Sequence, residues 1–269
     1  MGDNVPLVSV IVPTMNNVKT IRKCIGSLQC MDYPKFEIII VDGYSKDGTD
    51  VFAAEQGCRV VYENSGSRAA ALNEGLRRAS GEIVAFTDSD CVVESDWLNQ
   101  LVTYYDNPLV AGVGGPNNLV RMNPFSNLLL KLRFFESFRW LHASGRATEI
   151  DHNTGCNSSY RTTHLSSVGG FDSRLVAAED VDLDLRLGKM GLKLVFTPRA
   201  RIHHYKSFTP RGFVRWLYRF GYGAGILIRK HRSFVLHPFH LLVALVVPPY
   251  GVGMLAGLLG VIEDSSRLL

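Results

Sequence analysis

Between Asp184 and Glu263 the sequence has no acidic residue, although twelve lysines and arginines lie between Arg186 and Arg232. The net charge of +4 therefore belongs to the C-terminal third, and such a block suits nucleic acid, an anionic membrane or a phosphorylated substrate. No nucleic-acid recognition motif accompanies it, so no nucleic-acid partner is expected. The five cysteines, Cys24, Cys30, Cys58, Cys91 and Cys156, are odd in number and lack CxxC spacing, which indicates neither a zinc site nor a disulfide framework and fits a reducing compartment. The N-terminus lacks a basic region followed by a long apolar stretch, so no signal peptide is expected and the folded part is placed inside the cell. Internal repeats and low-complexity segments are missing, and a 46% hydrophobic, 20% charged composition excludes disorder.

What is present begins with an apolar run. Ser233 to Ile262 are thirty residues without Asp, Glu, Lys or Arg, long enough to span a bilayer. Pro248-Pro249 and four glycines weaken a straight helix there, which leaves a re-entrant hairpin, an interfacial helix pair or a buried core helix open as well. Lys230-His231-Arg232 at its edge would sit on the cytoplasmic side.

The first ninety residues alternate short β-branched runs with helical stretches. Strands are predicted at 7–12, 36–41, 58–62 and 82–86, and helices near 18–29, 47–56 and 66–80. The strand runs are apolar without alternation, which is the pattern of a mostly parallel sheet covered on both faces. In such a sheet ligands bind beyond the carboxyl ends of the strands. Those ends read Pro13-Thr14-Met15-Asn16, Asp42-Gly43-Tyr44-Ser45 and Thr87-Asp88-Ser89-Asp90, and should converge on one nucleotide pocket. Beyond residue 95 a helix near 95–106, a strand at 110–115 and an amphipathic stretch at 124–141 are expected.

Asp88-Ser89-Asp90 places two carboxylates one residue apart after a buried strand, where they can share a Mg²⁺ or Mn²⁺ ion that neutralises a leaving diphosphate. Arg68, at the start of the 66–80 helix, is placed either against that diphosphate or on the surface. A second acidic group, Glu179-Asp180 with Asp182 and Asp184, opens a helix. Asp180 is its candidate general base, with helix capping as the alternative, while Asp182 and Asp184 are expected to be solvated or hydrogen-bonded. Of His203-His204, which point to opposite sides of an extended segment, at most one can join the metal.

The segments VSVIVPTMNN (8–17), IIIVDGYSKDGT (38–49), SRAAALNEGLRRASGEIVAFTDSDC (67–91) and GCNSSYRTTHLSSVGGFDSRLVAAEDVDLDLRLGKMGLKLVFTPRARIHHY (155–205) together resemble the family 2 glycosyltransferases of the GT-A fold. The resemblance implies a Rossmann-like α/β domain that uses a nucleotide-diphosphate sugar and inverts anomeric configuration. It assigns Pro13, Thr14 and Asp42 to the nucleoside side of the donor and Asp88 and Asp90 to the metal and diphosphate; Asn16, Ser89 and Glu179, beside them in the sequence, are expected to bind the donor too. It further makes Asp180 of the Glu179-Asp180 pair the base, and His204 a metal or diphosphate contact. Gly43 stands where the family commonly has a second Asp, and Gly212-Phe213-Val214-Arg215-Trp216 replaces the Gln-x-x-Arg-Trp of processive synthases.

The reading is a catalytic domain over 1–206, with a nucleotide-sugar half at 1–115 and an acceptor half at 116–206. A basic amphipathic segment follows at 207–232 and an apolar membrane-spanning or interfacial segment at 233–262. The expected reaction moves one sugar to a hydroxyl or phosphate of a lipid-linked or glycan acceptor at the cytoplasmic face of a membrane. Nucleotidyl transfer to a sugar phosphate and a non-catalytic nucleotide-sugar-binding scaffold are the alternatives.

Overall fold

The structure, a computed structural model, describes residues 5–120, 123–131, 146–231, 244–245 and 247–260. Four parallel strands, β1 (Val8–Thr14), β2 (Phe36–Asp42), β3 (Arg59–Tyr62) and β4 (Ile83–Thr87), alternate with α1 (Val18–Gln29), α2 (Thr49–Glu55) and α3 (Arg68–Arg78). After β4 come β5 (Cys91–Val93), α4 (Trp97–Val102), β6 (Val110–Gly114), β7 (Asn117–Leu119), α5 (Pro124–Lys131), β8 (Thr148–Ile150) and β9 (Asn157–Arg161). The rest comprises α6 (Thr162–Ser167), α7 (Glu179–Lys189), β10 (Lys193–Phe196), β11 (Ile202–His204), α8 (Pro210–Lys230) and α9 (Pro248–Leu259). The large sheet runs β3-β2-β1-β4-β9-β6-β10-β8, and β5-β11-β7 form a small second sheet.

The expectation of a mostly parallel, doubly covered sheet holds for its first half. Val8, Val10 and Val12 of β1 face one core with Ile25, Ile40 and Trp97, while Ile11 faces another with Ile39, Leu72, Phe86 and Tyr160. Successive side chains enter opposite layers, and both layers are apolar, which is why the run shows no alternation. β9 breaks the parallel pattern, lying antiparallel between β4 and β6. The helix expected near 95–106 divides into α4 and a 3₁₀ turn at Thr103–Asp106. The amphipathic stretch at 124–141 is helical as α5; 132–145 lie outside the described residues.

Most of the apolar run at 233–247 also lies outside the described residues. Among the described residues no helix is long and apolar enough to cross a membrane. Pro248-Pro249 do not interrupt a helix but start one, occupying the first positions of α9, where a missing N–H costs nothing. Nor do the glycines merely weaken it. Gly253 and Gly257 of α9 meet Gly221 and Gly225 of α8 so closely that a Cβ at any of the four would overlap the opposite backbone. This seam of small residues is a close-packing device common where lipid replaces water. Gly225→Leu is expected to force α9 off α8 at a cost of about 1–3 kcal/mol or more. The measurement is earlier proteolysis within α9, with Gly26→Ala, whose Cβ would meet nothing within 4 Å, as the control.

A charged cluster ties the end of α8 to the catalytic core. His231 Nε2 lies 2.7 Å from Asp182 Oδ1, Lys230 Nζ reaches Asp172 and Asp182 at 2.6 Å each, and Arg186 Nε donates to Asp182 at 2.9 Å. Asp182 is therefore not solvated but wholly buried and paired. Burial alone would raise its carboxyl, and the surrounding cations outweigh that and hold it below the usual range.

Candidate active site

The carboxyl ends of β1, β2 and β4 do converge. The buried Asp42 carboxylate accepts from Ser45 N and Ser45 Oγ, each at 2.7 Å, and so shapes the loop after β2. Asn16 N donates to Ser45 Oγ at 2.7 Å, and Asn16 Oδ1 accepts from Lys46 N at 2.8 Å, which laces the first loop to the second. Asn16 and Tyr44 both adopt positive φ, 52° and 60°, a conformation that bends each loop sharply at the mouth. Tyr44 is exposed, and its ring lies 5.2 Å from that of Tyr62 at the end of β3, an aromatic platform that the sequence reading did not single out. At Gly43 a Cβ would press on the Met15 side chain at 3.3 Å, so Met15 takes the space of the missing side chain. The hydroxyl of Thr14 is buried with no partner, beside the half-buried Pro13.

At the end of β4, Ser89 is buried and accepts from Asn17 Nδ2 at 3.1 Å, which fixes the turn between the two acids. His204 approaches from the small sheet, where β11 pairs with β5 and sets it opposite Cys91. An oxygen of Asp88, an oxygen of Asp90 and a ring nitrogen of His204 lie within 4.8 Å of one another. His203 points the other way, toward Glu94 at 3.4 Å, as the alternation of an extended segment requires. His204 Nε2 is 3.0 Å from Asp90 Oδ1, yet the contact is not directed along an N–H, so this buried nitrogen has no hydrogen-bond partner. Two carboxylates and an unpartnered imidazole nitrogen are a donor set that fits Mg²⁺ or Mn²⁺. Without an ion, burial lowers His204, and the Asp90 carboxylate and the Cys156 sulfur outweigh it, lifting the imidazole to about 10.

Arg68, in the first turn of α3, joins this group to the second acidic cluster. Its guanidinium donates to Asp88 Oδ1 at 2.9 Å, to Glu179 Oε1 at 2.7 Å and to the Gly155 carbonyl at 3.0 Å. It is a half-buried clamp between the two acidic groups and not a free surface residue. Against the effect of burial, which raises the Asp88 carboxyl, Arg68 and His204 hold it below the usual range.

Asp180 lies in the first turn of α7, directly after Ala178, whose φ of 61° turns the chain so that both acids face inward. Its Oδ2 accepts from Gly155 N at 3.0 Å and its Oδ1 from Val181 N at 2.9 Å. A Cβ on Gly155 would approach Asp180 Oδ2 at 2.8 Å and Arg68 Nη1 at 3.2 Å, so only glycine lets one residue serve both groups. Burial first, and the Glu179 charge second, push the Asp180 carboxyl up to about 6 despite Arg68. One turn on, Asp184 is buried and accepts from Asn153 N at 2.7 Å and from the Tyr160 hydroxyl at 2.8 Å, so it too is hydrogen-bonded and not solvated. Tyr160→Phe is expected to cost about 1–2 kcal/mol in urea unfolding, since it strips a buried carboxyl of a partner.

Arg219 of α8 donates to the Val176 carbonyl at 3.1 Å and stands in the field of Glu179 and Arg68. The basic helix therefore reaches the site through Arg219, and Phe208, Phe213, Trp216 and Phe220 form an aromatic cluster along it.

Residues 9–169, more than half of the chain, match the family described as glycosyl transferase family 2, and the chain belongs to that family. It is an enzyme of the glycosyltransferase class. Over 285 residues it is 28% identical to a dolichyl N-acetyl-alpha-D-glucosaminyl phosphate 3-beta-D-2,3-diacetamido-2,3-dideoxy-beta-D-glucuronosyltransferase of Methanococcus voltae, covering 97% of this chain and 87% of that one. It is also 28% identical, over 235 residues, to a glucosyl-dolichyl phosphate glucuronosyltransferase of Haloferax volcanii, covering 78% of this chain and 72% of that one. Among solved structures, a mannosyltransferase of Pyrobaculum calidifontis in complex with GDP-Man and Mn²⁺ is similar in fold. Its TM-score is 0.70 at 24% identity, covering 99% of this chain and 79% of that one. The fold is thus α/β of the GT-A type.

Proposed function

We propose that this enzyme transfers one sugar, with inversion, from a nucleotide-diphosphate sugar to a hydroxyl or phosphate of a lipid-linked acceptor at a membrane surface. The observation that carries the reading is the Arg68 and Gly155 bridge, which holds the Asp88-Asp90-His204 group and Asp180 in one cleft. Two relatives that act on dolichyl-linked substrates, as their names state, support the choice of acceptor. The nucleoside would lie over the loops after β1 and β2, against Pro13, Thr14, Asn16 and Asp42, with Tyr44 and Tyr62 offering a ring surface to the base.

A divalent cation held by Asp88, Asp90 and His204 supplies Lewis-acid neutralisation of the leaving diphosphate. Arg68 adds a fixed positive charge beside the same oxygens, already oriented by Glu179 and Gly155. Asp180, with a carboxyl near 6, is ionised at neutral pH and still basic enough to take the acceptor proton. As the acceptor oxygen bonds to the anomeric carbon, the bond from that carbon to the diphosphate breaks on the opposite face. One base and one in-line displacement need no covalent intermediate. Glu179, paired to Arg68, keeps the guanidinium in place.

The exposed apolar side chains Val214, Phe220, Val252, Leu255 and Leu259 of α8 and α9, with Arg211, Arg215 and Arg229 nearby in sequence, suit the interface of an anionic bilayer. Purified enzyme with Mn²⁺ or Mg²⁺ and a panel of UDP-, GDP- and dTDP-sugars is expected to release nucleoside diphosphate and to label lipid extracts. Sugar appearing on soluble acceptors alone would overturn the lipid acceptor, and release of pyrophosphate would overturn glycosyl transfer.

A further inference from the structure

The lack of CxxC spacing argued against a thiol metal site, but the fold assembles one from distant residues. The geometry points to a site for a thiophilic cation of the Zn²⁺ class, formed by Cys91, Cys156 and His204, directly behind the Asp88-Asp90 pair. The two sulfurs and a ring nitrogen of His204 lie within 4.8 Å of one another, and all three residues are buried. His204 Nδ1 is the nitrogen on this side, 3.9 Å from Cys156 Sγ, while Nε2 faces Asp90. Two thiolates and an imidazole are the ligand types of zinc, and a small inward adjustment of the three donors would close its tetrahedral spacing.

A fourth ligand is at hand. Asn117 Nδ2 lies 3.2 Å from Cys156 Sγ, and Asn117 Oδ1 is buried with no partner. The two ends of an amide are assigned from their hydrogen bonds, and exchanging them turns that oxygen toward the sulfurs. On binding, the two thiols release their protons to solvent as the metal–sulfur bonds form. The ion would enter past the partly exposed Asp88 and Asp90 side chains, at 27% and 28% exposure, the open side of the cluster.

The shared histidine couples this site to the one in front. A neutral imidazole has one lone pair, so a soft cation on Nδ1 leaves the proton on Nε2, which then cannot ligate a second ion. Thiophilic metal and catalytic cation therefore compete for His204, and Zn²⁺ becomes an antagonist of Mn²⁺.

The probe is Cd²⁺ added to the full chain without nucleotide sugar, so that the outcome does not depend on the transferase reading. Expected is a thiolate-to-cadmium charge-transfer absorption that saturates at one ion per chain. The affinity should fall at least about tenfold in Cys91→Ser and in Cys156→Ser, each checked for a native melt, and stay unchanged in Cys30→Ser. Should either variant fail to fold, the cadmium NMR shift of the wild-type protein decides, since it moves downfield with each thiolate ligand. A shift in the all-oxygen range, no charge-transfer band, or a band indifferent to both Cys91→Ser and Cys156→Ser would overturn the site. In turnover, Zn²⁺ should suppress Mn²⁺-supported release of nucleoside diphosphate in wild type, and Cys91→Ser should resist it. Equal suppression of both proteins would overturn the competition for His204.

Discussion

Asp180→Asn is expected to lower turnover by about 10²- to 10⁴-fold while donor binding persists, the loss appropriate to removing a general base. The amide oxygen can keep only one of the two backbone donors, Gly155 N or Val181 N, and the other then faces the amide nitrogen, while the Arg68–Glu179 pair is left in place. In the wild-type enzyme kcat/KM should rise through a midpoint near pH 6 and then level off, because the base acts when deprotonated. Stability carries the opposite sign. The folded state holds the Asp180 proton more tightly than the unfolded chain, from 3.8 to about 6, so its contribution declines as pH rises through that window. At neutral pH the buried charge costs on the order of 3 kcal/mol, at about 1.4 kcal/mol per pH unit. The uncharged Asp180→Asn relieves that cost but leaves one backbone N–H unpaired, a loss of about 1–3 kcal/mol, so without divalent cation it should melt close to wild type at pH 7 and below it at pH 4, where the wild-type carboxyl is protonated. A variant that is less stable yet keeps its turnover would mean that Asp180 is a structural cap.

The contrast between what the sequence reveals and what it hides follows from the range of each interaction. β1, β2 and β4 are readable because their inner parts are buried on both faces and run apolar without alternation, whereas the edge strand β3 is only half-buried. Asp88-Ser89-Asp90 is readable because both acids sit in one turn after such a strand. Arg68 is different: its partners Glu179 and Gly155 are 111 and 87 residues away, and nothing local to α3 separates a clamp from a surface arginine. The same holds for Cys91 and Cys156: β9 pairs with β4 so that Asn157 lies opposite Thr87, and β11 sets His204 opposite Cys91. The glycines of α9 misled for another reason. Propensity treats glycine as a helix breaker, whereas here it allows two helices to touch backbone to backbone, a tertiary demand that local propensity does not contain. Asp182 and Asp184 read as helix-start charges, and the dipole argument is sound for them, but burial against Lys230, His231 and Tyr160 gives each a further task.

The second large effect is expected at Asp90. Asp90→Asn should abolish the response to divalent cations and reduce turnover by about 10²- to 10³-fold, the scale of losing one group that stabilises transition-state charge. Wild-type protein stripped with a chelator and then given Mn²⁺ at a hundred times its Kd should gain about 2.7 kcal/mol of stability, and the variant close to none. Asp88→Asn should lose the same response, but the two substitutions part in the metal-free protein. Asp88 also receives Arg68, so its loss removes one of the three acceptors that orient the guanidinium and leaves Glu179 to hold it. Because both side chains of that pair are partly exposed, the metal-free cost should be only about 1 kcal/mol. Asp90 faces His204, and Asp90→Asn leaves the Arg68 clamp untouched but removes a counter-charge that lifts the imidazole, so its metal-free melt should fall below wild type at pH 7 and the deficit should fade as pH rises toward 10. A metal-free melt of Asp88→Asn equal to that of wild type would show that Arg68 does not depend on Asp88. A retained Mn²⁺ response in both would place the cation elsewhere and leave the pair as a counter-charge to Arg68 and His204.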